Sequence, residues 1–469
     1  MSAMPAEQLQ DSEVKAKAKA SIRQALYLSV WRWHFYAGII FAPFLIILAF
    51  SGGVYLFKPQ IESMMYKDML TVREVLDTPT SADSIIAKTV QAYPGTSVSS
   101  ITLPASPSDS YKLSARRSGI ATTLYVDPYS GNVLGMMNSD KTFSAFFKKL
   151  HSELVVGGTA ANRIVELAAC WSLILLLTGL YLWWPRGKDG IWGTVLPRLS
   201  KPGSRLFWRD LHAVPAFWIS IVLILIIMGG LPWSGIMGPR IDKLANATDT
   251  GTPPFAYSFE AKPESVTVAS DIAEDLPWAA ESLPVPESAP GGYMRLGVDD
   301  IARIADYKQI GKPYTITMPS GEKGVYTVAT SHVKPGDNAT LHLDAYSGAV
   351  LTDVRYDDYG ILAKAITLGI AFHEGRLFGL PNQILGLVAC LGLILVTCSS
   401  YVMWKKRKPE GKLGAPAKAK NRKATIGVLL IMMLCGAIMP LVGISILVVL
   451  VLDLFILRRI KPLQAWFSV

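Results

Sequence analysis

Charge is scarce in this 469-residue chain: Asp, Glu, Lys and Arg make up 17%, against 51% hydrophobic residues. Histidine occurs only six times and cysteine four times. All four cysteines (Cys170, Cys390, Cys398, Cys435) lie inside apolar runs, so no disulfide framework is expected in the polar segments. No C-x-x-C-H is present, which excludes ordinary covalent c-type haem attachment. No G-x-G-x-x-G follows a strand-like run, so no nicotinamide or flavin site is visible. A secretory cleavage signal is also missing: the first twenty residues are polar, and no small-residue cleavage site follows the first apolar run. That run is expected to remain as an anchor.

What is present is membrane-length apolar sequence. A helical span needs roughly 20 apolar residues, and four runs meet this, at 33–57, about 164–184, 212–233 and about 383–404. A fifth stretch, 424–457, is broken by Pro440 and reads as a hairpin of two short spans. The net charge of +10 is concentrated in the arm 1–32, the loops 185–211 and 405–423, and the tail 458–469. These hold 23 Lys and Arg against 6 acidic residues, and six alternating spans would put all of them on one side. This is the positive-inside pattern, which predicts both termini in the cytoplasm and leaves no basic patch for nucleic acid. The segments 58–150 and 234–372 would then lie outside, with 151–184 and 373–404 combining an interfacial lead-in with a span.

The chain repeats itself. LYVDPYSGNVL at 124–134 and LHLDAYSGAVL at 341–351 agree at seven of eleven positions. ACWSLILLLTGLYLWWPR, from Ala169, is answered by ACLGLILVTCSSYVMWKKR, from Ala389. WRWHFYAG…FSGG in the first half is answered by WRDLHAVP…IMGG in the second. The expected fold is an α-helical membrane protein: a duplicated two-span repeat giving four core helices, plus a C-terminal two-helix hairpin. Each repeat also carries a small α+β domain with strand alternation and a Pro/Ala-Tyr-Ser-Gly turn. Two spans per repeat put both copies in the same direction, related by a pseudo-twofold along the membrane normal. A Pro-, Ala- and Glu-rich insertion between Pro253 and Gly292 is expected to be loop.

Four of the six histidines form two repeat-related pairs. His34 and His212 open the first span of each half. His151 and His373 precede the second, nineteen and seventeen residues before Cys170 and Cys390. Of the others, His342 replaces Tyr125 of the first copy and looks like an ordinary strand residue; His332 lies in the same domain. A single interfacial histidine is unremarkable, and duplication copies bystanders as well as ligands. A twofold axis, however, would bring each pair face to face, and ionisable residues facing a bundle mark functional sites. Two imidazoles without nearby Cys, Asp or Glu make a poor closed zinc site. They suit bis-imidazole coordination of a haem iron. Gly38, Gly52, Gly53, Gly229 and Gly230 could leave room for a porphyrin, or serve close helix packing. Two haems, one near each face, would form an electron path across the membrane. The tryptophans at the span ends (Trp31, Trp33, Trp183, Trp184, Trp208, Trp233, Trp404) are accounted for as interfacial anchors.

The duplicated D-x-Y-S-G-x-V-L hairpin, W-R-x-x-H at a span entry and the L-H before the next span resemble the PepSY-associated transmembrane helix family. Within it, the likeness is to the iron-uptake and diheme ferric-siderophore reductase group of Gram-negative inner membranes, over roughly residues 25–408. The resemblance implies two b-type haems, with His34 and His212 as axial ligands of the inner and His151 and His373 of the outer. It also implies an Fe(III)–siderophore or similar chelate as periplasmic acceptor, with Fe(II) released. A separate donor, either a cytoplasmic reductase or the quinol pool, would supply the electrons. A competing reading is a siderophore or iron transporter, or an accessory to one, without redox activity; against it, Glu166 and Asp453 are the main acids within the spans. A third is a regulatory protein whose outer domains bind a protease or envelope partner. Only the first reading uses all four histidines.

Overall fold

The computed structural model describes residues 6–185, 191–251, 267–290, 294–331, 334–419 and 421–467. His332 and the first part of the insertion lie outside the described residues. The chain forms two compact units: a helical one of residues 1–53, 150–238 and 384–469, and one of residues 54–149 and 239–383 that carries the strands. They are called here the spanning unit and the sheet unit.

The spanning helices are α1 (Ala6–Tyr55), α2 (Gly158–Trp183), α3 (Arg205–Gly230), α4 (Leu380–Arg407), α5 (Arg422–Ile438) and α6 (Pro440–Leu452). Among the described residues, five segments are long and apolar enough to cross a bilayer: 22–55, 158–183, 205–233, 380–407 and 440–457. At 17 residues, α5 forms the other arm of the C-terminal hairpin. Helices run past the apolar limits read from the sequence because their flanks are themselves good helix formers. The arm expected ahead of the first span continues without interruption into α1, through a stretch rich in Ala, Lys, Glu and Gln. At the start of α3, the Ser204 hydroxyl accepts the Phe207 N–H at 3.2 Å, an ordinary N-cap. The hairpin closes tightly at Gly436 and Gly443, where a Cβ on Gly436 would lie 2.6 Å from the Gly443 Cα.

In the sheet unit, β1 (Thr96–Leu103), β2 (Tyr111–Arg117), β3 (Ile120–Val126) and β4 (Val133–Asn138) come from the first sequence copy. The second supplies β5 (Tyr314–Thr317), β6 (Val325–Thr330), β7 (Ala339–Asp344) and β8 (Val350–Arg355). Where the sequence suggested two small domains, the strands join in one antiparallel sheet of order β4-β3-β2-β1-β5-β6-β7-β8. The join is the β1–β5 ladder, from Ser100–Thr317 to Leu103–Tyr314. It removes two sheet edges whose backbone groups would otherwise stay unpaired.

Helices Ala82–Ala92 and Val298–Tyr307 cover one face over a core that includes Ile85, Ile101, Leu113, Ile301, Ile316 and Leu341. Their N-termini cap each other reciprocally. Asp299 accepts the Ala82 and Asp83 N–H groups at 2.8 and 3.1 Å, and Asp83 accepts those of Val298 and Asp299 at the same distances. The repeated D-x-Y-S-G motif is a turn. Asp127 Oδ1 accepts the Tyr129 N–H and Asp344 Oδ1 that of Tyr346, while Gly131 and Gly348 take the left-handed conformation, φ 71° and 72°.

The described part of the insertion is mostly irregular in backbone, as expected, but it packs as core. Residues 267–290 fold over the sheet with two short helices, Ala269–Ile272 and Trp278–Glu281. Ala269, Ala273, Leu276 and Val285 pack on Val325 and Ala329, and Ala279, Ala280 and Leu283 on Val354 and Ala363. Alanine, which reads as low-complexity filler in the sequence, is here small enough to lie flat against the strands.

Candidate functional site

The spanning unit brings His34 and His212 together. Their ring centroids are 6.4 Å apart and the rings stand nearly perpendicular, at 80°. His34 is on α1 and its Nδ1 lies 2.9 Å from Thr178 Oγ1 on α2. Thr178 donates its own hydroxyl proton to the Ile174 carbonyl at 2.6 Å, so toward His34 it can only accept. His212, on α3, has Nδ1 2.9 Å from the Val396 carbonyl oxygen on α4, and a carbonyl has no proton to give. Both rings therefore carry their proton on Nδ1 and keep a lone pair on Nε2. This is the tautomer of a metal-ligating imidazole, set by the acceptor behind it.

His151 has a similar contact at Nδ1. Its Nδ1 is 3.0 Å from Ser51 Oγ, and Ser51 donates to the Ile47 carbonyl at 2.7 Å. A Cβ on Gly52 would sit 3.1 Å from His151 Cε1, so glycine there leaves room for the ring. Ser51 is seventeen residues beyond His34 on α1, about 25 Å along the helix axis. His373 closes the helix Ile361–His373 in the sheet unit and is half-buried.

The chemistry of the His34–His212 pair is restricted. Among the described residues, no group of three or more His, Cys, Asp or Glu side chains could hold a metal ion, so the protein offers two nitrogens and no further donor of these types. Two imidazole nitrogens sharing one metal at roughly 2 Å each place their ring centroids about 6 Å apart, close to the observed 6.4 Å. A haem iron, which brings four nitrogens of its own, fits a two-imidazole donor set. Space beside the rings is consistent with this: a Cβ on Gly38, one turn beyond His34, would meet nothing within 4 Å, and one on Gly179 would reach only His34 Cε1, at 3.4 Å.

The acids in and near the spans have local partners. Glu166 is buried, accepts the Ile236 and Met237 N–H groups at 3.0 and 2.8 Å, and lies 3.7 Å from the Arg163 guanidinium. Asp453 is paired with Arg458 at 2.7 Å. Asp210, which the sequence reading counted with the loop before the third span, is fully buried between Arg198 and Arg209. His342 lies in β7, with Nδ1 3.0 Å from Thr327 Oγ1, and burial brings its imidazole down to about 4. Sequence reasoning missed Thr178, Ser51 and the Val396 carbonyl. The two hydroxyls stand out as polar residues in apolar runs, whereas a backbone carbonyl leaves no trace in a sequence.

Apolar spans, a large antiparallel sheet and a facing histidine pair define a multi-pass membrane protein with an attached α+β unit. The model of the PepSY-associated TM region matches residues 31–407, and the chain belongs to that family. No curated protein matches the chain.

Proposed function

We propose that this protein is a transmembrane electron-transfer protein with two b-type haems. In this reading it takes electrons from a quinol or a cytoplasmic reductase and reduces an Fe(III)–siderophore, or a similar ferric chelate, on the far side. The observation that carries it is the His34–His212 pair, with both Nε2 lone pairs left free by acceptors on neighbouring helices. A haem held there supplies a reversible one-electron iron couple. Thr178 and the Val396 carbonyl hold the ring orientations and raise the basicity of the ligating nitrogens. The apolar helices around the pair exclude water, and an iron held by both His34 and His212 would keep no open site for oxygen. At the far end of α1, His151 has a similar contact at Nδ1. The sequence repeat, rather than a measured distance, supplies His373 as its counterpart.

Each chelate reduced takes one electron and changes Fe(III) to Fe(II), which siderophores hold far less tightly; a quinol donor would serve two such steps and release two protons. The charge distribution supports an inner-membrane protein with both termini in the cytoplasm and the sheet unit in the periplasm. The internal repeat supports a pseudo-twofold between the two halves. A transporter without redox activity would need free polar side chains along a path, and the partners of Glu166, Asp210 and Asp453 count against it.

The test is an absorption spectrum with haem quantified on protein from haem-supplied cells. Two haems per chain with low-spin bis-imidazole bands, reoxidised by a ferric siderophore, are expected. A folded but colourless protein would refute the reading.

A further inference from the structure

The family match ends at residue 407, yet that last residue and two beyond it hold the part of α1 that carries His34. The Arg407 guanidinium, at the end of α4, lies 5.2 Å over the Trp31 ring and 4.9 Å over that of Phe35. Arg32 donates to the Pro416 carbonyl at 2.8 Å, and the Tyr36 hydroxyl to the Phe467 carbonyl at 2.7 Å. The four residues so engaged all lie within three positions of His34.

The extension is itself fixed. Trp404 donates its indole N–H to the Leu413 carbonyl at 2.8 Å, and Arg407 donates to Gly414 at 2.9 Å. The Leu413 N–H reaches the Trp466 carbonyl at 2.9 Å, which ties the tail helix Lys461–Phe467 to the segment that follows α4. Further along, the hairpin is anchored where Trp171 on α2 donates to Ser445 Oγ at 3.0 Å.

Such a tie is needed because α1 contains Pro43 nine residues beyond His34. Proline removes a helix hydrogen bond and crowds the preceding turn, so it is a flexion point. The segment with His34 would otherwise swing relative to the rest of α1. The other histidine has an equivalent arrangement: α3 contains Pro215, three residues after His212. Its segment before Pro215 is tied differently, by Asp210 to Arg198.

We propose that the C-terminal extension, residues 408–467, is an intramolecular clamp that sets the position of His34 against His212, with Arg32, Tyr36 and Arg407 as its positioning residues. Its meaning for haem binding rests on the function proposed above. The clamp itself is a statement about His34.

The experiment compares full-length protein in nanodiscs with the double variant Arg32→Gln/Tyr36→Phe and with a chain ending at residue 407. Haem-free samples are treated with diethyl pyrocarbonate and the acylation of each histidine is read by mass spectrometry. Haem-loaded samples are read by electron paramagnetic resonance. The expected result is a several-fold rise in His34 labelling with His151 unchanged, and a shifted or lost signal from one of the two low-spin haems. Unchanged His34 labelling in the double variant overturns the clamp, and that variant decides the matter if the shortened chain does not fold. A colourless full-length protein would refute the haem reading alone, since the labelling still tests the clamp.

Discussion

His34 and His342 make the same first contact and reach opposite ends. Each sets Nδ1 about one hydrogen bond from a threonine hydroxyl, at 2.9 Å from Thr178 and 3.0 Å from Thr327. On α1, that hydroxyl is already committed to a carbonyl and a second imidazole stands 6.4 Å away. In β7, His342 sits in a cross-strand row with Thr317, Thr327 and Thr352, buried to 1% exposure, and its Nε2 meets no partner among the described residues. A buried histidine on a threonine is therefore not a ligand candidate by itself. A locked tautomer opposite a second locked imidazole is.

That contrast can be broken most directly by deleting the rings. His34→Ala or His212→Ala is expected to lower bound haem from two per chain to one by pyridine haemochrome assay, while His342→Gln leaves it at two. Haem content unaffected by either spanning-unit change would remove the distinction.

Next in size is a pH effect confined to the sheet unit. With a folded value of about 4 against 6.5 unfolded, His342 is neutral in the native state, and the unfolded chain binds the extra proton. Its contribution is full above pH 6.5 and is lost as pH falls toward 4, on the order of 3 kcal/mol in all. Urea melts of the sheet unit's near-ultraviolet signal should steepen in pH dependence across that window, and His342→Gln should flatten it.

Smaller is the effect of the acceptor behind His34. Thr178→Val keeps the shape but leaves Nδ1–H without a partner, and loss of such an outer-shell bond costs about 10–100-fold in affinity. Faster haem transfer to apomyoglobin would show it, with Thr178→Ser close to the parent. The smallest change is Gly52→Ala, whose Cβ would lie 3.1 Å from His151 Cε1. A small shift of one low-spin signal is expected, with haem content retained.

Much of this was legible without coordinates. The four core spans follow from apolar length, and D-x-Y-S-G spelled a hairpin turn because an aspartate that accepts the backbone N–H two residues on, followed by a left-handed glycine, makes that turn cheaply. The pairing of His34 with His212 was readable from the repeat, which gives the two the same place at the start of a span. The packing of the insertion was misread because alanine and proline runs carry no periodicity, although Ala279 and Ala280 are buried against the sheet. The union of the strands in one sheet was not readable either: the sequence of β1 and β5 shows two strands, and edge pairing depends on what lies beside each.

By itself, then, the sequence determined the membrane spans, the internal repeat and the two repeat-related histidine pairs, because these depend on composition and spacing along the chain. The tertiary structure decided which nitrogen of the His34 and His212 rings carries the proton. That depends on a hydroxyl in α2 and a carbonyl in α4, residues 144 and 184 positions away from the histidines they hold. It also decided that residues outside the family match reach back to α1, since a hydrogen bond such as Tyr36 to Phe467 is fixed by how helices pack and not by what either segment prefers alone.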